Sequence, residues 1–166
     1  MLSKSLQNDL NNQLKDEFFA SHLYVALAAY CDSKELPGMA QWFHAQSNEE
    51  RGHAMKIYTF LVEKDQPVTI HGINPPKIVY KSIHDAFLEA ASHEAKVTKQ
   101  LYKIMDRAVK EKEHSTVSFL KWFIDEQVEE ESLFRVALKS LKRVGNDGPG
   151  LLYLDREMGK RAPVQN

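Results

Sequence analysis

The chain has 166 residues, of which 43% are hydrophobic and 27% charged, and its formal net charge is −1. Such a length and composition fit one globular domain, residues 1–166, with a core that needs no disulfide staples, and the charge balance gives no drive toward nucleic acid or an anionic membrane. The lone cysteine, Cys31, cannot close an internal disulfide, the amino terminus lacks the apolar stretch of a secretory signal, and the most apolar run, Phe18 to Cys31, is too short to span a membrane, so a soluble cytoplasmic protein is expected.

Glycine and proline are confined mostly to a few breaks, and long stretches of helical periodicity lie between them. The first helix is expected at about 5–33, with Leu10, Leu14, Phe18, Val25 and Ala28 close to one stripe. The second is expected at 37–64, opened by Pro37, with Phe43, Ile57, Phe60 and Leu61 on its apolar side. A third follows at 82–112, where Ser82 and Asp85 resemble a capping box and Phe87, Ala91, Val97, Leu101, Met105 and Ala108 form the core stripe. The fourth spans 115–144, with Phe119, Phe123, Phe134, Ala137 and Leu141 inside, and Gly145 to Gly150 end it. A short amphipathic helix at 150–159 carries Leu151, Leu152, Leu154 and Met158.

Four helices this long, each with one apolar stripe, pack side by side. The first and second are joined tightly, as are the third and fourth, so each pair is antiparallel. The connection from Asp65 to Lys81 is long enough to run along the bundle. The expected fold is therefore all-α, a ferritin-like four-helix bundle with one long crossover and a short fifth C-terminal helix.

Acid stands where this pattern demands apolar residues. In the fourth helix Phe123, Gln127, Glu130, Phe134, Ala137 and Leu141 step by fours and threes along one seam. Glu94 lies among Phe87, Ala91, Val97 (or Thr98) and Leu101 in the third. Glu50 and His53 share the inner side of the second helix, and Glu17 and Tyr24 sit in the seam of the first. Each long helix thus contributes one inward carboxylate: Glu17, Glu50, Glu94 and Glu130. An unpaired buried carboxylate costs several kcal/mol by order of magnitude, and no Lys or Arg occupies a neighbouring seam position. Bound cations are the natural compensation, and His53 shifts the preference toward transition metals. Glu50-x-x-His53 alone reads more readily as a solvated pair. Together with the other three carboxylates it approaches the di-iron template of helix bundles, with the second Glu-x-x-His altered to Gln127-x-x-Glu130.

At Glu17, Tyr24, Glu49-Glu50-Arg51-Gly52-His53, Glu94, Trp122 and Glu126-Gln127-Val128-Glu129-Glu130, the chain resembles the bacterial non-haem ferritins, over almost its whole length. The resemblance implies iron storage and detoxification through a ferroxidase site that oxidises Fe(II) to Fe(III). One iron would be held by Glu17, Glu50 and His53, and the other by Glu50, Glu94 and Glu130, with Glu50 bridging. Gln127 would hydrogen-bond close by, and Tyr24 and Trp122 would stand beside the site. A third iron position is implied at Glu49, Glu126, Glu129 and Glu130. The implied substrates are Fe(II) with dioxygen or hydrogen peroxide, and the implied product is a ferric mineral inside a hollow homo-oligomer of 24 subunits. The resemblance places the fifth helix at a four-fold junction of that shell, although its apolar residues could also pack on their own bundle.

Haem-binding bacterioferritins resemble the chain too, but carry a methionine directly after the first Glu, where this chain has Arg51. They also have a histidine where this chain has Glu130, so no haem is expected. A small di-iron redox enzyme would carry a second Glu-x-x-His or a cysteine-rich iron domain, and this chain has neither. A DNA-binding mini-ferritin would need a clearer basic patch than the tail Gly159 to Asn166 supplies, so neither nucleic acid nor membrane is an expected partner. His22, His44, His71, His84, His93 and His114 are expected at the surface or in ordinary hydrogen bonds, and Cys31 in the core.

Overall fold

A computed structural model of the chain describes residues 2–161. These form α1 (Lys4–Asp32), α2 (Pro37–Glu63), α3 (Ile83–Lys110), α4 (His114–Val144) and α5 (Gly148–Met158). No described residue lies in a strand. Among the described residues, no helix is long and apolar enough to cross a membrane.

The helix ends have local causes. Ser3 Oγ accepts the Leu6 N–H at 3.1 Å and opens α1. Ser82 Oγ does the same for the Asp85 N–H at 3.1 Å at the start of α3. The return bond of the expected capping box falls one residue earlier, from the Lys81 N–H to Asp85 Oδ2 at 3.0 Å. Gly145 ends α4 at φ +58°, a backbone state that suits a residue without Cβ. Asp147 Oδ2 accepts the Gly150 N–H at 2.9 Å, so α5 starts two residues before the sequence periodicity shows.

Two apolar clusters fill the bundle. One joins Leu27, Ala28 and Cys31 from the end of α1 to Met39 and Phe43 of α2, Phe87 and Ala90 of α3, and Phe134 and Leu141 of α4. The other joins Leu6, Leu10 and Leu14 to Ile57, Leu61, Leu101, Ile104, Leu120 and Phe123. The end of α1 therefore meets the starts of α2 and α3, so α2 and α3 run parallel to each other and antiparallel to α1. Their connection must return along the bundle. It leaves beside Asn11, which donates to Pro67 O at 3.1 Å and accepts the Thr69 N–H at 2.6 Å. It arrives where the rings of Tyr80 and Tyr30 meet at 5.2 Å. Asn11 to Tyr30 spans roughly 28 Å of helix at the usual rise.

The α1 stripe departs from expectation at Val25, which is 48% exposed, while Leu23, Tyr24 and Leu27 are buried. One residue past Tyr24 turns a side chain about 100° around the helix, which carries Val25 off the seam. Cys31 is a free, fully buried thiol. In α5, Leu151, Leu154 and Met158 pack against the first cluster, whereas Leu152 and Tyr153 project outward.

The start of α2 is built by α5. Leu36, at the N-cap, makes no side-chain cap. The buried Asp155 supplies the acceptors instead, taking the Met39 N–H at 2.7 Å and the Gly38 N–H at 3.2 Å. A Cβ at Gly38 would stand 1.9 Å from Asp155 O, so α5 approaches too closely for any other residue there.

Candidate metal centre

Between the two apolar clusters lies a polar layer. Glu17, Glu50, Glu94 and Glu130 are all 5% exposed or less, one from each long helix. Each sits near the middle of its helix, with apolar turns above and below. Among the described residues, none of the four pairs with a lysine or arginine.

Glu17, Glu50 and His53 bring three potential ligand atoms within 4.8 Å of one another. His53 Nδ1 lies 3.1 Å from Glu50 Oε2. Gln13, one turn before Glu17, donates to Glu17 Oε1 at 2.8 Å. The remaining oxygens, Glu17 Oε2 and Glu50 Oε1, are buried and accept no hydrogen bond from any described residue. A buried carboxylate oxygen without a donor is costly unless something positive meets it.

Glu94 and Glu130 stand in the same layer but outside that close group of three. Glu94 accepts from the Tyr24 hydroxyl and, at 3.1 Å, from Gln127 Nε2. Gln127 also donates toward Thr98 Oγ1 at 3.2 Å. Glu130 Oε2 accepts from Gln46 Nε2 at 2.7 Å, across the bundle from α2. His53 is set edge-on against Trp122 and Phe123, with ring centroids 5.3 Å and 6.0 Å away.

Electrostatics follow from this crowding. Burial, and then the neighbouring Glu50, push the Glu17 carboxyl well above the usual carboxylate range. Glu50 is raised in the same way by burial and by Glu94 and Glu130. Burial lifts Glu94 and Glu130 to about 7, although Tyr24 and Gln127 pull Glu94 down and Gln46 pulls Glu130 down. Tyr24 is held neutral by burial and by the facing Glu94. A cation entering the layer reverses this penalty by stabilising the ionised acids.

The outer acids are less uniform. Burial raises the Glu126 carboxyl, and Glu129 and Glu49 raise it further. Glu49 is already engaged by Arg161 Nη2 at 2.5 Å, and the same guanidinium lies 5.1 Å from the Trp42 ring centroid. Glu129 is exposed. Sequence patterning set Thr98 on the Glu94 face only as an alternative to Val97, and it did not mark Gln13, Gln46 or Arg161. Gln13 and Gln46 sit four residues before Glu17 and Glu50, a spacing that puts them on the acids' own face. Nothing in sequence links Arg161 to Glu49. Of the histidines, His93 departs from the ordinary: its ring lies 5.5 Å from Phe19, its Nε2 has no partner among the described residues, and burial holds it down at about 4.

With this geometry in view, known proteins give a consistent answer. A Staphylococcus aureus (strain USA300) bacterial non-heme ferritin is 41% identical over 161 residues, covering 97% of each chain. This chain belongs to the bacterial non-haem ferritins. The bacterial non-heme ferritin of Staphylococcus haemolyticus (strain JCSC1435) is 40% identical over 162 residues, covering 98% of both. The ferritin-like domain family matches residues 7–144 of this ferritin. An Archaeoglobus fulgidus ferritin engineered into a closed form superposes with a TM-score of 0.97 at 34% identity, over 99% of this ferritin and all of that chain. The all-α ferritin-like bundle with its long crossover and short fifth helix is thus established.

Proposed function

We propose that this ferritin chain is one subunit of a hollow iron-storing shell and oxidises Fe(II) to Fe(III) in its buried acid layer. The carrying observation is four buried carboxylates, one per long helix, which among the described residues have no lysine or arginine partner and leave two oxygens, Glu17 Oε2 and Glu50 Oε1, without donors. Fe(II) is the substrate that meets this demand. Glu17, Glu50 and His53 take one ion, and Glu50, Glu94 and Glu130 take the other. Binding displaces the protons that burial holds on these carboxyls.

Hard carboxylate oxygens favour the ferric state over the ferrous one. Two ions held side by side deliver two electrons together to dioxygen or hydrogen peroxide. Tyr24 and Gln127 fix the Glu94 carboxylate for its ion. Trp122, against the His53 ring, shields the imidazole side. Glu49, Glu126, Glu129 and Glu130 form a third position, by which ferric product leaves for the interior. The relatives' designation as non-heme ferritins, and Arg51 beside Glu50, favour a chain without haem.

Stopped-flow oxidation of Fe(II) in air tests the reading. Glu50→Ala, which removes the shared ligand, is expected to slow the fast phase by at least about tenfold, since loss of mere supporting contacts already costs that much. Assembly is expected to persist. Unchanged kinetics in an intact shell would remove the site assignment.

A further inference from the structure

Three glutamines reach the acid layer, and each gives an amide N–H to a different carboxylate. Gln13 serves Glu17, Gln127 serves Glu94 and Gln46 serves Glu130. Gln46 is the most committed of them. It is 0% exposed, and its 2.7 Å bond crosses from α2 to α4. Glu130 accepts no other side-chain hydrogen bond among the described residues. Gln46 Oε1 is itself buried and meets no donor among the described residues. An unsatisfied carbonyl inside a protein is costly, so apolar packing would have been the cheaper filling for this position.

Charge explains the choice of a glutamine. A lysine or arginine here would neutralise Glu130 and repel cations. An amide orients the carboxylate and leaves its charge available. Its own free oxygen can then accept a hydrogen bond from water that arrives with the ion.

Resting on the two-iron reading above, we propose that Gln46 is a positioning residue for the second cation position, the one formed by Glu50, Glu94 and Glu130. It aims Glu130, and its unpartnered Oε1 receives the incoming hydrated ion. Supporting residues of this kind commonly carry about ten- to a hundredfold of metal affinity.

The test titrates the assembled, metal-free protein with Co(II), which does not turn over, using calorimetry and the ion's visible absorption. Wild type is expected to bind tightly in two steps. Gln46→Met, similar in bulk but without a donor, is expected to weaken the second step by about tenfold or more. The first step, at Glu17, Glu50 and His53, should keep its affinity and its nitrogen-ligand spectrum. Gln46→His, which retains a ring N–H, should restore much of the second step and also serves if Gln46→Met does not assemble. Two unaltered steps in Gln46→Met, or equal weakening of both steps in both variants, overturn the proposal. Absence of tight Co(II) binding in wild type would instead remove the two-iron reading itself.

Discussion

A carboxylate buried in a helix bundle resists ionisation, and four of them share one layer here. At low pH, folded and unfolded chains both keep these groups protonated. Between 4.5, the ordinary carboxylate value, and about 7, an unfolded chain releases protons that folded Glu94 and Glu130 retain. Stability of the metal-free protein attributable to these groups therefore falls as pH rises through that window, and the penalty is complete above about 7. Glu94→Gln removes one such acid. Its metal-free form is expected to melt at a temperature close to wild type at pH 5 and several degrees above it at pH 8. A difference that does not change with pH would contradict this origin of the strain. The four acids were legible in sequence because each interrupts an apolar seam. Gln46 and Gln13 were not, because a glutamine is an unremarkable helix former and only the partner across the bundle reveals its purpose.

At the scale of elements, periodicity exposed the four long helices, and the seam Phe123-Gln127-Glu130-Phe134-Ala137-Leu141 is buried throughout, as its spacing of fours and threes requires. Val25 was misplaced because an apolar side chain on a surface face looks the same in sequence as one in the core. The dependence of α2 on α5 was invisible, since Asp155 and Met39 are 116 residues apart. Asp155→Ala leaves two backbone N–H groups at the start of α2 without their acceptors, a loss of about 1–2 kcal/mol on the scale of helix caps. Its melting temperature is expected to drop by a few degrees while Fe(II) oxidation in the assembled protein is retained. Gly38→Ala is expected to be worse, because the added Cβ forces α5 away from α2. Equal stability of Gly38→Ala and wild type would contradict the close approach.

At the scale of the whole molecule, the outer face of α5 exposes Leu152 and Tyr153, and the crossover exposes Ile70, Ile78 and Val79. Apolar side chains in such number are better covered than wet, which agrees with an assembly of many copies. With a chain of 19.1 kDa, a particle of roughly half a megadalton is expected by gel filtration with light scattering. A dimer would speak for a small redox enzyme instead. Whatever the assembly, the proposed function rests on metal entering the layer between the two apolar clusters. The most direct measurement is anomalous scattering from a crystal soaked in Fe(II). Iron peaks are expected against Glu17, Glu50 and His53, and beside Glu50, Glu94 and Glu130. Iron found only on surface acids, with that layer free of it, would contradict the account.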